Sequence, residues 1–234
     1  LVLGMGTKRT SYTEISKKIG INTGGIRSSH YSSATVQDRQ SIISYVFFNG
    51  KALTEKVGDL FDLFNELFSE YSFENSKRLI EIIRSAKADM EDSIVPSGNH
   101  YVQSRLQSYH SRLGKFDELT DGITYYRFLE GLLEQVEKDP QAVAHQFQKV
   151  AERIFTKQNI LFNVTCEEKD YPKIEKRLNS LYDLLSDGKS EVEKWDFKAV
   201  SENEGFLTAS NVQHVGKGAN LYEMGFKYSG QFEV

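Results

Sequence analysis

Residues 41–68 read SIISYVFFNGKALTEKVGDLFDLFNELF, and the hydrophobic period changes inside that stretch. From Ser41 to Phe48 the residues Ile42, Ile43, Tyr45, Val46, Phe47 and Phe48 are β-branched or aromatic, the composition of a strand. After Asn49-Gly50 the apolar positions Val57, Leu60, Phe61, Phe64, Leu67 and Phe68 fall three and four apart, which is the buried stripe of an amphipathic helix. A strand that gives way to a long helix points to an α+β chain. The stripe is read as core rather than as the wall of a ligand site.

Working back toward the start, Ile26 to Val36 is rich in Ser, Thr and aromatic residues and is expected to pair antiparallel with 41–48, with Gln37 to Gln40 as the turn. Gly24-Gly25 allows the chain to bend into that strand. Ser11 and Glu14 have capping-box spacing, so a helix is expected from Tyr12 to about Ile19, closed near Gly20.

Working forward, helical spacing continues. Leu79, Ile80, Ile83, Ala86, Met90 and Ile94 mark a helix over about 73–95, broken by Pro96 to Gly98. Val102, Leu106, Tyr109 and Leu113 mark another, with Gly114 expected to close it. Asp121 is expected to open the helix through Tyr125, Leu129, Leu132 and Val136, and Asp139-Pro140 the next, to about Phe155. Asn159 to Glu168 alternates Ile160, Phe162, Val164 and Cys166 on one face, as a strand does. Asp170 is expected to cap a final helix through Leu185, with Pro172 in its first turn.

Past that helix the composition shifts. Residues 187–204 carry six acids (Asp187, Glu191, Glu193, Asp196, Glu202, Glu204) against Lys189, Lys194 and Lys198, and are read as a solvated connector pinned by Trp195 and Phe197. Its local charge is most of the chain's net −4, from 29 Lys+Arg and 33 Asp+Glu in 234 residues. Gly205 to Val215 is expected to be a strand, 217–220 a turn, and Asn220 to Phe226 the start of another element. That balance of charge makes no electrostatic case for nucleic acid. No apolar run approaches the roughly 20 residues that span a bilayer, so no membrane partner is expected either. The single Cys166 suits a reducing compartment and reads as a buried structural thiol. Leu1 in place of Met, without a charged leader, is read as the start of a piece of something longer.

The side chains available for chemistry do not combine locally. None of His30, His100, His110, His145 or His214 has a zinc-ligand neighbour at the spacing that its helix or strand would need. No G-x-S-x-G elbow and no phosphate-binding loop occurs, and Val215-Gly216-Lys217-Gly218 reads as a plain turn. Asp89, Glu91 and Asp92 read as a solvated surface, because Asp89 and Glu91 do not share a helix face. Arg105 and Arg112, seven apart, read as one solvated helix edge in preference to an anchor for acidic groups. No catalytic, cofactor-binding or metal-binding residue is assigned.

Several segments taken in order resemble the insulinase/pitrilysin superfamily of zinc peptidases, in its presequence-protease and falcilysin branch. They are Gly6-Thr7-Lys8 leading into Ser11-Tyr12, Thr23-Gly24-Gly25-Ile26, Ala88 to Ile94 with Gly98-Asn99-His100, Tyr125 to Leu129, and Asn211 to Asn220. The resemblance implies a processing-peptidase-like metallohydrolase fold, α+β, with a mixed or antiparallel sheet backed by helices. It also implies a division into a third-domain-like part over 1–186 lacking its first strands, the acidic connector 187–204, and the start of a truncated fourth domain over 205–234.

The implied parent is a zinc-dependent endopeptidase whose two homologous halves enclose a chamber for short unstructured peptides. Its zinc is held by an H-x-x-E-H motif in the amino-terminal half, and the corresponding second His would fall at Leu1 here, which cannot ligate metal. The family's R-x-x-G-G-A-Y stretch is expected to begin shortly after Val234. The expectation is therefore a non-catalytic chamber-wall fragment, inactive alone, with no cofactor of its own and zinc in the parent. Its partners would be the amino-terminal catalytic half of the same chain and short peptides. The alternative is a fragment of a zinc-less scaffold or peptide-binding homologue of the same superfamily. A bacterial cytoplasm is the expected location, with a mitochondrial parent as the other option.

Overall fold

The computed structural model describes residues 1–38, 40–188 and 203–227. Among them the helices are α1 (Val2–Met5), α2 (Tyr12–Asn22), α3 (Val57–Ser69), α4 (Ser76–Ile94), α5 (Gly98–His110), α6 (Arg112–Asp121), α7 (Ile123–Lys138), α8 (Pro140–Ile154) and α9 (Tyr171–Leu184). Two strands, β1 (Ile26–Ala34) and β2 (Ile42–Gly50), form one antiparallel sheet. The chain is helix-rich α+β, as the change of period inside 41–68 predicts.

The chain divides into two compact units. The first comprises residues 1–30, 46–84 and 132–188, and the second 31–45, 85–131 and 203–227. In the first unit, Leu60, Phe61, Leu63, Leu67 and Phe68 of α3 are buried, so the stripe is core. Phe68 stacks on Phe155 at 5.0 Å between ring centroids and meets Phe48 of β2 edge-on at 5.0 Å, where offset and T-shaped rings are favoured. Leu79, Ile83, Val136, Val143, Ala151, Ile174 and Leu181 complete this core from α4, α7, α8 and α9.

Local signals explain several boundaries. The capping box at α2 forms as expected, with Ser11 accepting from the Glu14 N–H and Glu14 accepting from the Ser11 N–H. Gly6 has φ +86°, and a Cβ there would lie 2.7 Å from the Tyr12 nitrogen, so only glycine fits the turn that bridges Gly6 to Ser11. Thr7 Oγ1 then donates to Glu66 at 2.7 Å, tying this turn to α3. Asp139 caps α8 by accepting from the Ala142 N–H at 3.0 Å, with Pro140 in the first turn. The hairpin turn closes through the Thr35 N–H donating to the Ser41 carbonyl at 2.9 Å.

Other expectations are corrected. Residues 159–168 keep the alternation, with Ile160, Phe162 and Val164 packed on the core and Leu161 exposed, yet they form no strand. A strand needs a ladder partner, and among the described residues β1 and β2 pair only with each other. Cys166 is an exposed free thiol, because the segment has left the core by that point. The helix expected to end at Gly114 breaks at Ser111, whose hydroxyl accepts from the Gly114 N–H at 2.9 Å and starts α6. Asp121 does not open α7; the Glu118 carboxylate accepts from the Thr124 N–H at 3.1 Å instead. Asp170 sits at the N-cap of α9 but makes no side-chain cap bond. Residues 205–215 form no strand. Most of the proposed connector, Trp195 and Phe197 included, lies outside the described residues.

Candidate functional site

A cluster of charged side chains in the second unit is centred on Arg105 of α5. Its Nε donates to Glu204 Oε2 at 2.6 Å and its Nη2 to Glu204 Oε1 at 2.7 Å, a bidentate pair. Its Nη1 donates to Glu118 Oε1 and to Thr124 Oγ1, both at 3.1 Å. Tyr109, one helical turn along α5, receives a bond from Arg105 Nε at 3.1 Å and donates to Glu204. Phe206 lies under both Arg105 and Arg127, with guanidinium carbons 5.8 and 5.5 Å from the ring centroid.

Glu118 is fully buried, and its carboxylate is held from four directions. It accepts from Arg105, from the Thr124 N–H and hydroxyl, and from Ser104 at 3.4 Å. A Cβ on Gly122 would fall 1.9 Å from Glu118 Oε2, so the glycine between α6 and α7 makes room for the carboxylate. A buried charge is tolerable only when paired and hydrogen-bonded, and both conditions are met here.

The electrostatics follow from the contacts. The Arg105 guanidinium holds the Glu204 carboxyl down at about 2, with the Tyr109 hydroxyl adding to the effect. Glu204 in turn pushes Arg105 further above its already high range. Burial first, and then the bond to Glu204, raise Tyr109. The Glu204 carboxylate therefore stays ionised near neutral pH, and all three guanidinium nitrogens are engaged by the chain's own side chains. The cluster holds α5, α6, α7 and residues 204–206 together; it is not arranged as an acid/base pair.

Residues 213–220 run along α5 from its first turn to its last. A Cβ on Gly98 would meet His214 Cδ2 at 2.7 Å, and one on Gly216 would meet Val102 Cγ1 and Leu106 Cδ1 at 2.6 Å. One on Gly218 would meet His110 Nε2 at 3.2 Å, and Asn220 Nδ2 donates to the His110 carbonyl at 2.9 Å. An extended chain rises about 3.3 Å per residue and a helix about 1.5 Å, so two strap residues keep pace with one helical turn. The Gly-Lys-Gly stretch, expected to be a turn, is therefore a strap whose glycines let backbone lie on a helix. It borders a cleft of about 1400 Å³ that also takes in Ala34, Thr35 and Gln103.

The other residues singled out from the sequence fall elsewhere. His30 is on β1, His100 and His110 on α5, His145 on α8 and His214 on the strap. Among the described residues no three of His, Cys, Asp and Glu converge. Glu91 pairs with Lys87 and accepts from the Tyr126 hydroxyl at 2.8 Å on an exposed edge of α4. Arg105 and Arg112 belong to different helices, because the break at Ser111 separates them. Arg105 is not a solvated edge: its side chain is 16% exposed and anchors two acids from its own chain. Sequence reasoning missed Glu118 and placed Glu204 in the solvated connector. The nearest signal for Glu118 was Asp121-Gly122, a breaker that needs something to cap the helix following it.

Residues 1–132 match the sequence model of the family described as associated with subfamily C of the insulinase-type (pitrilysin) peptidases. The chain is 30% identical over 229 residues to Protein HypA of Clostridium perfringens, a match over 98% of this chain and 23% of that protein. It is 26% identical to Presequence protease 1, chloroplastic/mitochondrial, of Arabidopsis thaliana over 234 residues, covering 100% of this chain and 22% of that one. The mitochondrial presequence protease of Yarrowia lipolytica is 28% identical over 163 residues, 69% of this chain and 16% of its own. The chain thus spans less than a quarter of the length of these relatives. No helix among its described residues is long and apolar enough to cross a membrane.

Proposed function

Because the chain belongs to this peptidase-associated family of the insulinase superfamily, we propose that it is a non-catalytic part of the chamber wall of a zinc-dependent endopeptidase that degrades short unstructured peptides. The observation that carries this reading is the closure of the Arg105 cluster on its own chain. Arg105, Glu118 and Glu204 join helices and strap to one another, and Glu204 is held ionised by Arg105. Similarity to proteins named presequence protease supplies the reaction class.

In this reading zinc and its ligands belong to an amino-terminal catalytic half of the same protein. The present chain contributes surface that excludes folded proteins and admits peptides when the halves separate. Elemental analysis of the chelator-washed chain and incubation with a short unstructured peptide test it. Zinc far below one equivalent and no cleavage are expected, with cleavage appearing once the catalytic half is supplied. Stoichiometric zinc, cleavage by this chain alone, or a catalytic half that is equally active without it would overturn the reading.

A further inference from the structure

The strap is held in an unusual way for a segment of its length. Its glycines touch α5, but Leu207 is fully exposed and Val212 and Val215 are 62% and 86% exposed, so its own apolar side chains contribute little to holding it. Among the described residues no backbone hydrogen bond ties 213–219 to another element. Its firm attachments are at the two ends: the bidentate Glu204–Arg105 pair with Phe206 beneath the guanidinium, and the Asn220 amide on the last carbonyl of α5. Beneath it lie Val102 and Leu106, apolar side chains that Gly216 covers.

We propose that residues 204–220 are a clasped strap, which leaves α5 as one piece when the Arg105–Glu204 pair is broken and so uncovers the Val102–Leu106 face to the adjoining cleft. The pair suits a clasp because its two halves differ in what they hold. Arg105 stays paired with buried Glu118 whether or not Glu204 is present, so opening leaves no unpaired buried charge. The hydrogen-bonded ends fix the strap's register, and the glycines between them let it seat without interlocking side chains.

A thiol under the strap reads its departure. Val102→Cys in a Cys166→Ser background of the intact chain, with Leu106→Cys as a second reporter on the same face, is titrated with a thiol-reactive dye under native conditions. Slow modification is expected while the strap is seated. Glu204→Gln, which keeps the side chain's shape and the Arg105–Glu118 pair, is expected to raise the rate at least tenfold with helical circular dichroism unchanged. A rate that Glu204→Gln leaves unaltered overturns the proposal. So does an equal rise produced by Gly114→Ala, a substitution that loosens the α5–α6 contact and leaves the Arg105–Glu204 pair in place, because that result means opening of the unit that does not depend on the clasp.

Discussion

Arg105 Nη1 on α5 lies 3.1 Å from Glu118 Oε1 on α6, and the Glu118 side chain has no solvent exposure. This pair joins two helices that a short break at Ser111 allows to fold back on each other. Removing Arg105 leaves Glu118 buried without its ion partner, which is costlier than never having had the pair, whereas Arg105 without Glu118 is still held by Glu204.

Arg105→Ala should therefore destabilise the chain by about 3–5 kcal/mol. Glu118→Gln, which keeps an acceptor for the Thr124 N–H, should cost clearly less. Urea unfolding followed by circular dichroism measures both. Equal losses would show that the unpaired Glu118 charge carries no cost of its own.

Gly114 packs directly on the backbone of the preceding helix, where an added Cβ would come within 2.5 Å of the Gln107 carbonyl oxygen. Backbone cannot yield as a flexible side chain can. Gly114→Ala should thus destabilise by about 1–3 kcal/mol, although alanine is the better helix former by roughly 1 kcal/mol. A neutral or stabilising effect in thermal melts would mean that α5 and α6 separate without cost.

The depressed Glu204 carboxyl sets a pH window. Its ordinary value is 4.5 and its folded value about 2, so its stabilisation is fully present above about pH 5 and is lost as pH falls toward 2. The difference in melting temperature between the parent chain and Glu204→Gln should be constant from neutral pH down to about 5, then shrink through the acid range. Added salt should reduce it only modestly, since the pair is partly buried. A difference independent of pH would mean that the Glu204 charge contributes nothing to holding the strap.

What could be read directly from the residues were features with local causes. The period change in 41–68 separates strand from helix, the Ser11/Glu14 box starts α2 and Asp139-Pro140 starts α8. All three hold because capping and periodicity depend on neighbours within one turn. Residues 159–168 show the limit. Their alternation is correct, and Ile160, Phe162 and Val164 do face the core, but a ladder requires a second chain segment that alternation cannot supply.

The Arg105 cluster was not legible for the same reason. Arg105 and Glu204 stand 99 positions apart, and nothing near either one marks it as partnered. Glycines 98, 114, 216 and 218 share this character: each looked like punctuation, and each serves as the contact point for a side chain or backbone from another element. The sequence alone determined where the locally capped helices α2 and α8 begin and which apolar stripes face the core, because those depend on short-range hydrogen bonds and on apolar surface. Only the tertiary structure decided which charges pair and which glycines are needed, because desolvation and close approach depend on what arrives from the rest of the chain.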